Sequence, residues 1–517
     1  MHTREIAGHV VSTRPPDLRH SGHRDGWLWF NEPMAHNGVM ADIVLNGGSL
    51  RCDDVVAFAA GNSRVRVDPA ALAHADDAWR LARDVMGRRA VYGRTTGVGA
   101  NKTVVTEGSG ADGLRLMRSH AGGIGDLMTE EHVRAMLLVR LNQLAAGRSG
   151  VHPRVLTAVT AALNSDSLPS VHQYGAIGTG DLTALAETAL TLVGERPWAT
   201  GGIEPVEFGA GEALGFMSSN AATLAEAVLV TVELRKLLRA SHSVAALSYI
   251  ALGGSPEPYA TTVHEAKPHP GQMECAAEMR RLLGMTEVPK PGRRIQDPYG
   301  LRAFPQVQGP ALDAVAYLEQ VLTTEINAST ENPMVSVPDQ DVYHNAHFHT
   351  AYVATALDTA RATVHSVAEL STARLGDLVE PDQTDLPAFL ASGPAGSSGV
   401  MILEYVAHDA LAAMRQAALP VTLGTAVVSR GLEDHASFST QAARQGKRVA
   451  NAYRIVLGCE LVAAVRALRM RKADVIDLPI REAFDLMDSV LDARLEDRPL
   501  TDDVERAAEL LLTLHVT

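Results

Sequence analysis

Apolar residues recur along much of this chain at the three- and four-residue spacing of a helix face. Val133, Met136, Leu137, Leu141 and Leu144 share one such face with Arg140, and Leu182, Leu185, Ala186, Ala189, Leu190 and Val193 share another. Residues 401–418 and 447–470 predict two further long helices. Near the start, Ile43-Val44-Leu45-Asn46-Gly47 reads instead as a short strand running into a turn. Residues 253–300 form a Pro/Gly-rich break that includes Pro256, Pro258, Pro289 and Pro291. Residues 1–42 show no periodicity and predict an irregular extension in which Trp27, Trp29 and Phe30 are suited to docking. No internal repeat is present at solenoid periods. The expected fold is mainly α: long bundle helices, with the polar motifs on irregular loops. The expected division is an extension at 1–42, an N-terminal domain at 43–240, and a helical bundle with C-terminal helices at 241–517.

Composition narrows the function. A chain of 517 residues can bury a large core, and 46% hydrophobic with only 4% aromatic residues suits packed helices. A net charge of -14 argues against nucleic acid and anionic membrane partners. Cys52, Cys275 and Cys459 lie far apart without metal-ligand spacing, so reduced, buried thiols and no metal site are expected. No run reads as long and apolar enough to cross a bilayer, and the N-terminus lacks an apolar signal core, which predicts a cytoplasmic protein.

Chemistry concentrates in a few polar segments. Tyr92 lies in the glycine-punctuated Val91–Gly99 stretch, where glycines permit motion and close approach to a ligand. A tyrosine serves as a base only when positive charge lowers its pKa; read alone, the stretch is more readily a surface loop with a packing tyrosine. His120 sits among small residues and by itself reads as structural. Gln296, Tyr299 and Arg302 occupy one short segment. If it is helical, Tyr299 and Arg302 point the same way and suit a carboxylate. Glu325-Ile326-Asn327 through Asn332-Pro333 and Leu432-Glu433-Asp434-His435 are polar clusters, each a site or a bundle network. Gly178-Thr179-Gly180-Asp181 feeds a helix N-terminus at Leu182, with Asp181 the expected cap.

The order and spacing of these segments resemble the histidine and aromatic amino acid ammonia-lyases across about residues 43 to 480. Tyr92 matches the family's catalytic-base tyrosine, with Tyr299 next in line for that role. Gln296, Tyr299 and Arg302 match its Gln-Asp-x-Tyr-Ser-Leu-Arg motif. Asn327 and Asn332-Pro333 match its Glu-x-Asn and Asn-Pro segment, and Phe348-His349 the end of Gly-Asn-Phe-His. Arg140-Leu141-Asn142-Gln143 with Ser149-Gly150-Val151 matches a family helix and turn. Ser119-His120 and Glu433 look like the histidine-lyase branch. The resemblance implies a fumarase/aspartase-like central bundle with a loop-rich N-terminal domain, and a homotetramer whose sites combine three chains. It further implies a carboxylate held by Arg302 with Tyr299 and Asn327, and a ring read by His120 and Glu433.

The resemblance fails at the electrophile. Family members cyclise an Ala-Ser-Gly tripeptide into methylidene-imidazolone (MIO); here Gly178, Thr179 and Gly180 occupy those places, with no serine to dehydrate. The asparagine that supports MIO falls on Ser218, although Asn220 lies two residues on, and His347 replaces the asparagine before Phe348. The expectation is therefore a turn that does not form MIO, and no other cofactor. Without MIO, a base contributes roughly 10²–10⁴-fold, too little for ordinary ammonia loss but sufficient for a nitrogen that already leaves easily. Trimethylated histidine betaines, hercynine and ergothioneine among them, meet that condition. Three readings stand: a MIO-independent lyase acting on a histidine-like amino acid or betaine, an ordinary ammonia-lyase in which Thr179 cyclises, and a silent homologue that binds a ligand or partner.

Overall fold

Four long helices carry the core: Ala221–Leu252, Phe304–Ile326, Ala351–Val379 and Ser439–Arg471. This computed structural model describes residues 42–514 except 62, 474 and 476, so the expected extension, Asp42 aside, lies outside the described residues. Ser439–Arg471 packs against Ala221–Leu252, Ala351–Val379 and the shorter Ile402–Ala417 helix. Among the described residues, strands form four two-stranded sheets; the first pairs Asp42–Leu45 in parallel with Arg64–Val67. The mainly α bundle anticipated from periodicity is what the chain forms.

Several boundaries differ from expectation. Ala221–Leu252 runs unbroken through residue 240, where a domain division was expected, and stops at Gly253. There a left-handed φ of 63° turns the chain, and the Gly253 N–H bonds back to the Ile250 carbonyl. Within Glu212–Leu252, an 18-residue window with mean hydropathy 1.3 does meet the length and composition of a membrane span. That window is 89% buried inside the protein, because a helix surrounded by other helices reads apolar all round. The expected break at 253–300 contains the Pro270–Leu282 helix, whose proline sits in the first turn, where its missing N–H costs nothing. Ser439–Arg471 begins eight residues before the expected start at 447. Its first turn is polar because it serves the glycine turn described below.

One buried ion pair ties the bundle together. Arg374 Nε and Nη2 donate to the two Glu460 carboxylate oxygens at 2.6 and 2.8 Å, and both side chains are fully buried. Ser248 and Ser371 hydroxyls donate to the same carboxylate at 2.6 and 2.5 Å. Arg374 Nη1 reaches the Gly300 carbonyl at 3.1 Å, which anchors the short Tyr299–Arg302 helix to the core.

Candidate active site

The root of the Tyr92 loop is fixed by Arg94. Its buried guanidinium donates to the carbonyls of Ser149 (2.5 Å) and Gly150 (3.4 Å), in the Ser-Gly-Val turn singled out in the sequence, and burial pushes its pKa down to about 10. Tyr92 is half-buried. Its hydroxyl oxygen accepts the Gly99 N–H at 2.7 Å, and its own N–H donates to His344 Nε2 at 3.1 Å. Burial raises the Tyr92 pKa; the Gly99 N–H offsets part of that rise, and the nearby Glu433 carboxylate adds a smaller raising contribution. Among the described residues of one chain, the positive environment that a tyrosinate requires is thus not supplied around Tyr92.

The glycine turn is held from three sides. The Gly178 carbonyl accepts the Thr350 N–H (3.3 Å), the Thr350 hydroxyl (3.1 Å) and the Ser437 hydroxyl (2.9 Å). Asn220 Oδ1 accepts the Gly180 N–H at 2.9 Å while Asn220 Nδ2 donates to the Phe348 carbonyl at 2.6 Å. The amide that touches this turn is therefore Asn220. Ser218, expected there by alignment, uses its hydroxyl to accept the Asn332 N–H at 3.1 Å. A Cβ on Gly178, at φ +81°, would sit 2.1 Å from Ser437 Oγ and 2.8 Å from the backbone nitrogen of Ser439. The latter cannot rotate away, so an alanine does not fit. Asp181 does not cap its own helix: its carboxylate accepts the N–H and hydroxyl of Thr223, in the first turn of Ala221–Leu252. Burial pushes its pKa up to about 6.

Segments 344–350 and 429–439 both run from the tyrosine loop to the glycine turn. The first contributes His344 to Tyr92 and Thr350 to Gly178; the second places Ser429 and Glu433 beside Gly99 and Ser437 on Gly178. Between these ends, His349 Nε2 and His435 Nδ1 meet at 2.9 Å. Partner identity is what sequence reading missed at Asn220, His344, His349, His435 and Ser429. Asn220, His349 and His435 lie in or beside segments visible in the sequence, but a contact between residues 40 or more apart leaves no periodic trace.

Other residues serve the frame. Arg140 donates to the carbonyls of Gly215 (2.5 Å) and Phe216 (2.9 Å) and pairs with buried Glu331 (2.9 Å); Gln143 Oε1 accepts the Ser219 hydroxyl at 2.6 Å. Asn327, expected at a substrate carboxylate, spends its amide on structure. Its Oδ1 accepts from the Leu50 N–H and Asn142 Nδ2, both at 2.9 Å, and its Nδ2 donates to the Leu50 and Thr323 carbonyls, both at 2.8 Å.

Tyr299 and Arg302 do share a face, as expected, with the guanidinium stacked 4.4 Å over the phenol ring. Arg302 Nε donates to the Asp297 carbonyl at 2.8 Å, which leaves its outer nitrogens without a hydrogen bond among the described residues. Tyr299 is 66% exposed and Gln296 is exposed as well. Among the described residues, no hydrogen bond, ion pair or ring contact joins this trio to Tyr92 or to the glycine turn. His120, at the end of the Gly110–His120 helix, donates from Nδ1 to the Leu116 carbonyl at 2.9 Å, since a carbonyl only accepts. Nδ1 also lies 3.0 Å from the Ser119 hydroxyl; in the neutral tautomer with its proton on Nδ1, Nε2 carries a lone pair.

Comparison with known proteins places this geometry. The sequence profile of the aromatic amino acid lyase family matches residues 50–488. The chain is 32% identical to histidine ammonia-lyase of Treponema denticola over 488 residues, covering 91% of this chain and 96% of that protein. It is 33% identical to histidine ammonia-lyase of Gloeobacter violaceus, covering 92% and 96%. Among solved structures, it resembles the ergothioneine-degrading ergothionase of T. denticola in complex with desmethyl-ergothioneine sulfonic acid. The TM-score is 0.86 at 25% identity, over 92% of this chain and 99% of that one. Histidine ammonia-lyase of Trypanosoma cruzi gives a TM-score of 0.85 at 28% identity, covering 92% and 94%.

Proposed function

Because the chain belongs to the aromatic amino acid lyase family and is a carbon–nitrogen lyase, we propose that it eliminates the trimethylammonium group of a histidine betaine without MIO. The product is a urocanate-like α,β-unsaturated acid. The observation that carries this reading is the glycine turn. Residue 179 is threonine, and residue 178 has no space for the methyl of the family's alanine. The residues present therefore do not fit MIO.

Tyr92 removes the β-proton, the C–H electrons form the double bond, and the Cα–N bond breaks with trimethylamine leaving neutral. The proton on Tyr92 returns to solvent. The raised pKa of Tyr92 in the isolated chain makes the cationic substrate itself part of the activation, because a quaternary ammonium beside the phenol favours the phenolate. Rate should then climb with rising pH through the alkaline range, since the active species is deprotonated Tyr92; a kcat/KM that falls over that range counts against the assignment. His120 Nε2 and the Glu433 carboxylate are two acceptors, which suits a ring presenting two N–H groups, as the thione form of ergothioneine does. A homotetramer in the cytoplasm completes the proposal, with Tyr299 and Arg302 brought to Tyr92 by a neighbouring subunit.

Intact-protein mass and substrate turnover test this together. The expected mass is that of the unmodified chain, and the expected turnover is greater for hercynine or ergothioneine than for histidine, phenylalanine or tyrosine. A deficit of two waters restores the ordinary ammonia-lyase reading. Failure to consume any histidine derivative favours the silent homologue. Arg302→Ala should weaken substrate binding by on the order of 2–5 kcal/mol, and Arg302→Lys should recover only part, because the ammonium lacks the planar fork. Calorimetric titration showing unchanged affinity in Arg302→Ala removes the arginine from the site.

A further inference from the structure

The loop bearing Tyr92 is touched by a strained segment at residues 429–431. Ser429 and Arg430 both adopt left-handed backbone, at φ 54° and 57°, followed by Gly431 at 84°. Two consecutive side-chain-bearing residues in this region are costly and persist only where surrounding contacts hold them. The segment closes on itself through the Val428 N–H to the Glu433 carbonyl at 2.9 Å and the Gly431 N–H to the Val428 carbonyl at 3.0 Å. Apolar packing contributes little, since Val428 and Leu432 are 39% and 40% exposed.

The Ser429 hydroxyl oxygen accepts the Ala100 N–H at 2.9 Å. The preceding amide, that of Gly99, donates to the Tyr92 hydroxyl at 2.7 Å. The two consecutive amides therefore fasten the same end of the loop, the first to the phenol and the second to Ser429. The approach is close: a Cβ on Gly99, at φ +56°, would lie 2.4 Å from Ser429 Oγ and 3.3 Å from Glu433 Oε1. Only glycine admits Ser429 there.

We propose that Ser429 is a positioning residue whose hydroxyl latches the Tyr92 loop and so sets where the phenol oxygen stands. The inference rests on Tyr92 being the base. Exposed loops held by few polar contacts open at low cost, so a single hydrogen bond there governs how much of the time the loop is closed. Among the described residues, the charged and titratable groups facing Tyr92 are Glu433 and His344, and a substitution at residue 429 removes neither.

The test uses the full chain with Ser429→Ala and Ser429→Gly; the second also relieves the left-handed strain. Both variants should speed hydrogen–deuterium exchange of peptides covering 93–105 about fivefold or more, and lower kcat about tenfold with KM changed less. This is the factor one hydrogen bond supports. The rising limb of the pH–rate profile should move to higher pH, since the Gly99 N–H that favours the phenolate is no longer held in place. Unchanged exchange in either variant overturns the latch. Faster exchange with wild-type turnover, in an enzyme that Tyr92→Phe inactivates, overturns the positioning role. Near-full activity of Tyr92→Phe instead overturns the assignment of the base, while the latch stands or falls on exchange alone.

Discussion

Tyr92→Phe is expected to lower turnover of the betaine substrate at least ~100-fold while leaving binding near wild type. The substitution removes one oxygen. What that oxygen does in the resting chain is accept the Gly99 N–H, so the structural loss is one partly exposed hydrogen bond, worth about 0.5–1.5 kcal/mol. The loop's root is unaffected because Arg94 holds it through Ser149 and Gly150. The chemical loss is larger: no other side chain then takes the β-proton, and the aromatic ring still fills its place. Steady-state kinetics with a parallel binding titration separate the two. Turnover within a few-fold of wild type places the base elsewhere, Tyr299 being the next candidate.

Glu460→Ala is expected to destabilise the fold by about 3–5 kcal/mol, the cost of leaving a buried partner uncompensated. Arg374 would lose both charge-assisted bonds, and the Ser248 and Ser371 hydroxyls would lose their acceptor. Denaturant unfolding monitored by circular dichroism reads the loss as a lower midpoint. The Arg374→Met/Glu460→Leu pair should recover much of the stability, since well-packed apolar replacements of buried ion pairs are often neutral or better. It should not recover substrate binding, because Arg374 also holds the Gly300 carbonyl beneath Tyr299 and Arg302. A double variant with wild-type affinity shows that this link does not matter.

The long helices were legible because burial on a helix leaves a periodic mark in the helix's own residues. Leu182–Leu192 and Ile402–Ala417 fall where the apolar spacing put them. Where the mark is absent the reading slipped. The polar first turn of Ser439–Arg471 hid its start, and the Pro/Gly-rich stretch 253–300 suggested a break where the Pro270–Leu282 helix lies. The family motifs were legible too, and so was the missing serine at residue 179, because both are matters of residue identity and order.

Tertiary structure alone decided which group meets which. The alignment put the supporting amide at Ser218, but the turn out of the Glu212–Met217 helix presents Asn220 to Gly180 and sends Ser218 to Asn332. Asn327 has the residue type of a ligand, yet its four bonds to Leu50, Thr323 and Asn142 consume it as scaffold. The lack of room at Gly178 comes from Ser437 and Ser439, some 260 positions away, and the latch on Tyr92 joins Ala100 to Ser429 across 329. Periodicity reports that a side chain is covered; it does not report by what, since the covering atoms belong to segments that only the folded chain brings near. The sequence thus determined the family, the helical frame and the missing serine. Folding determined the hydrogen-bond partners, and through them which polar residues are left free to act.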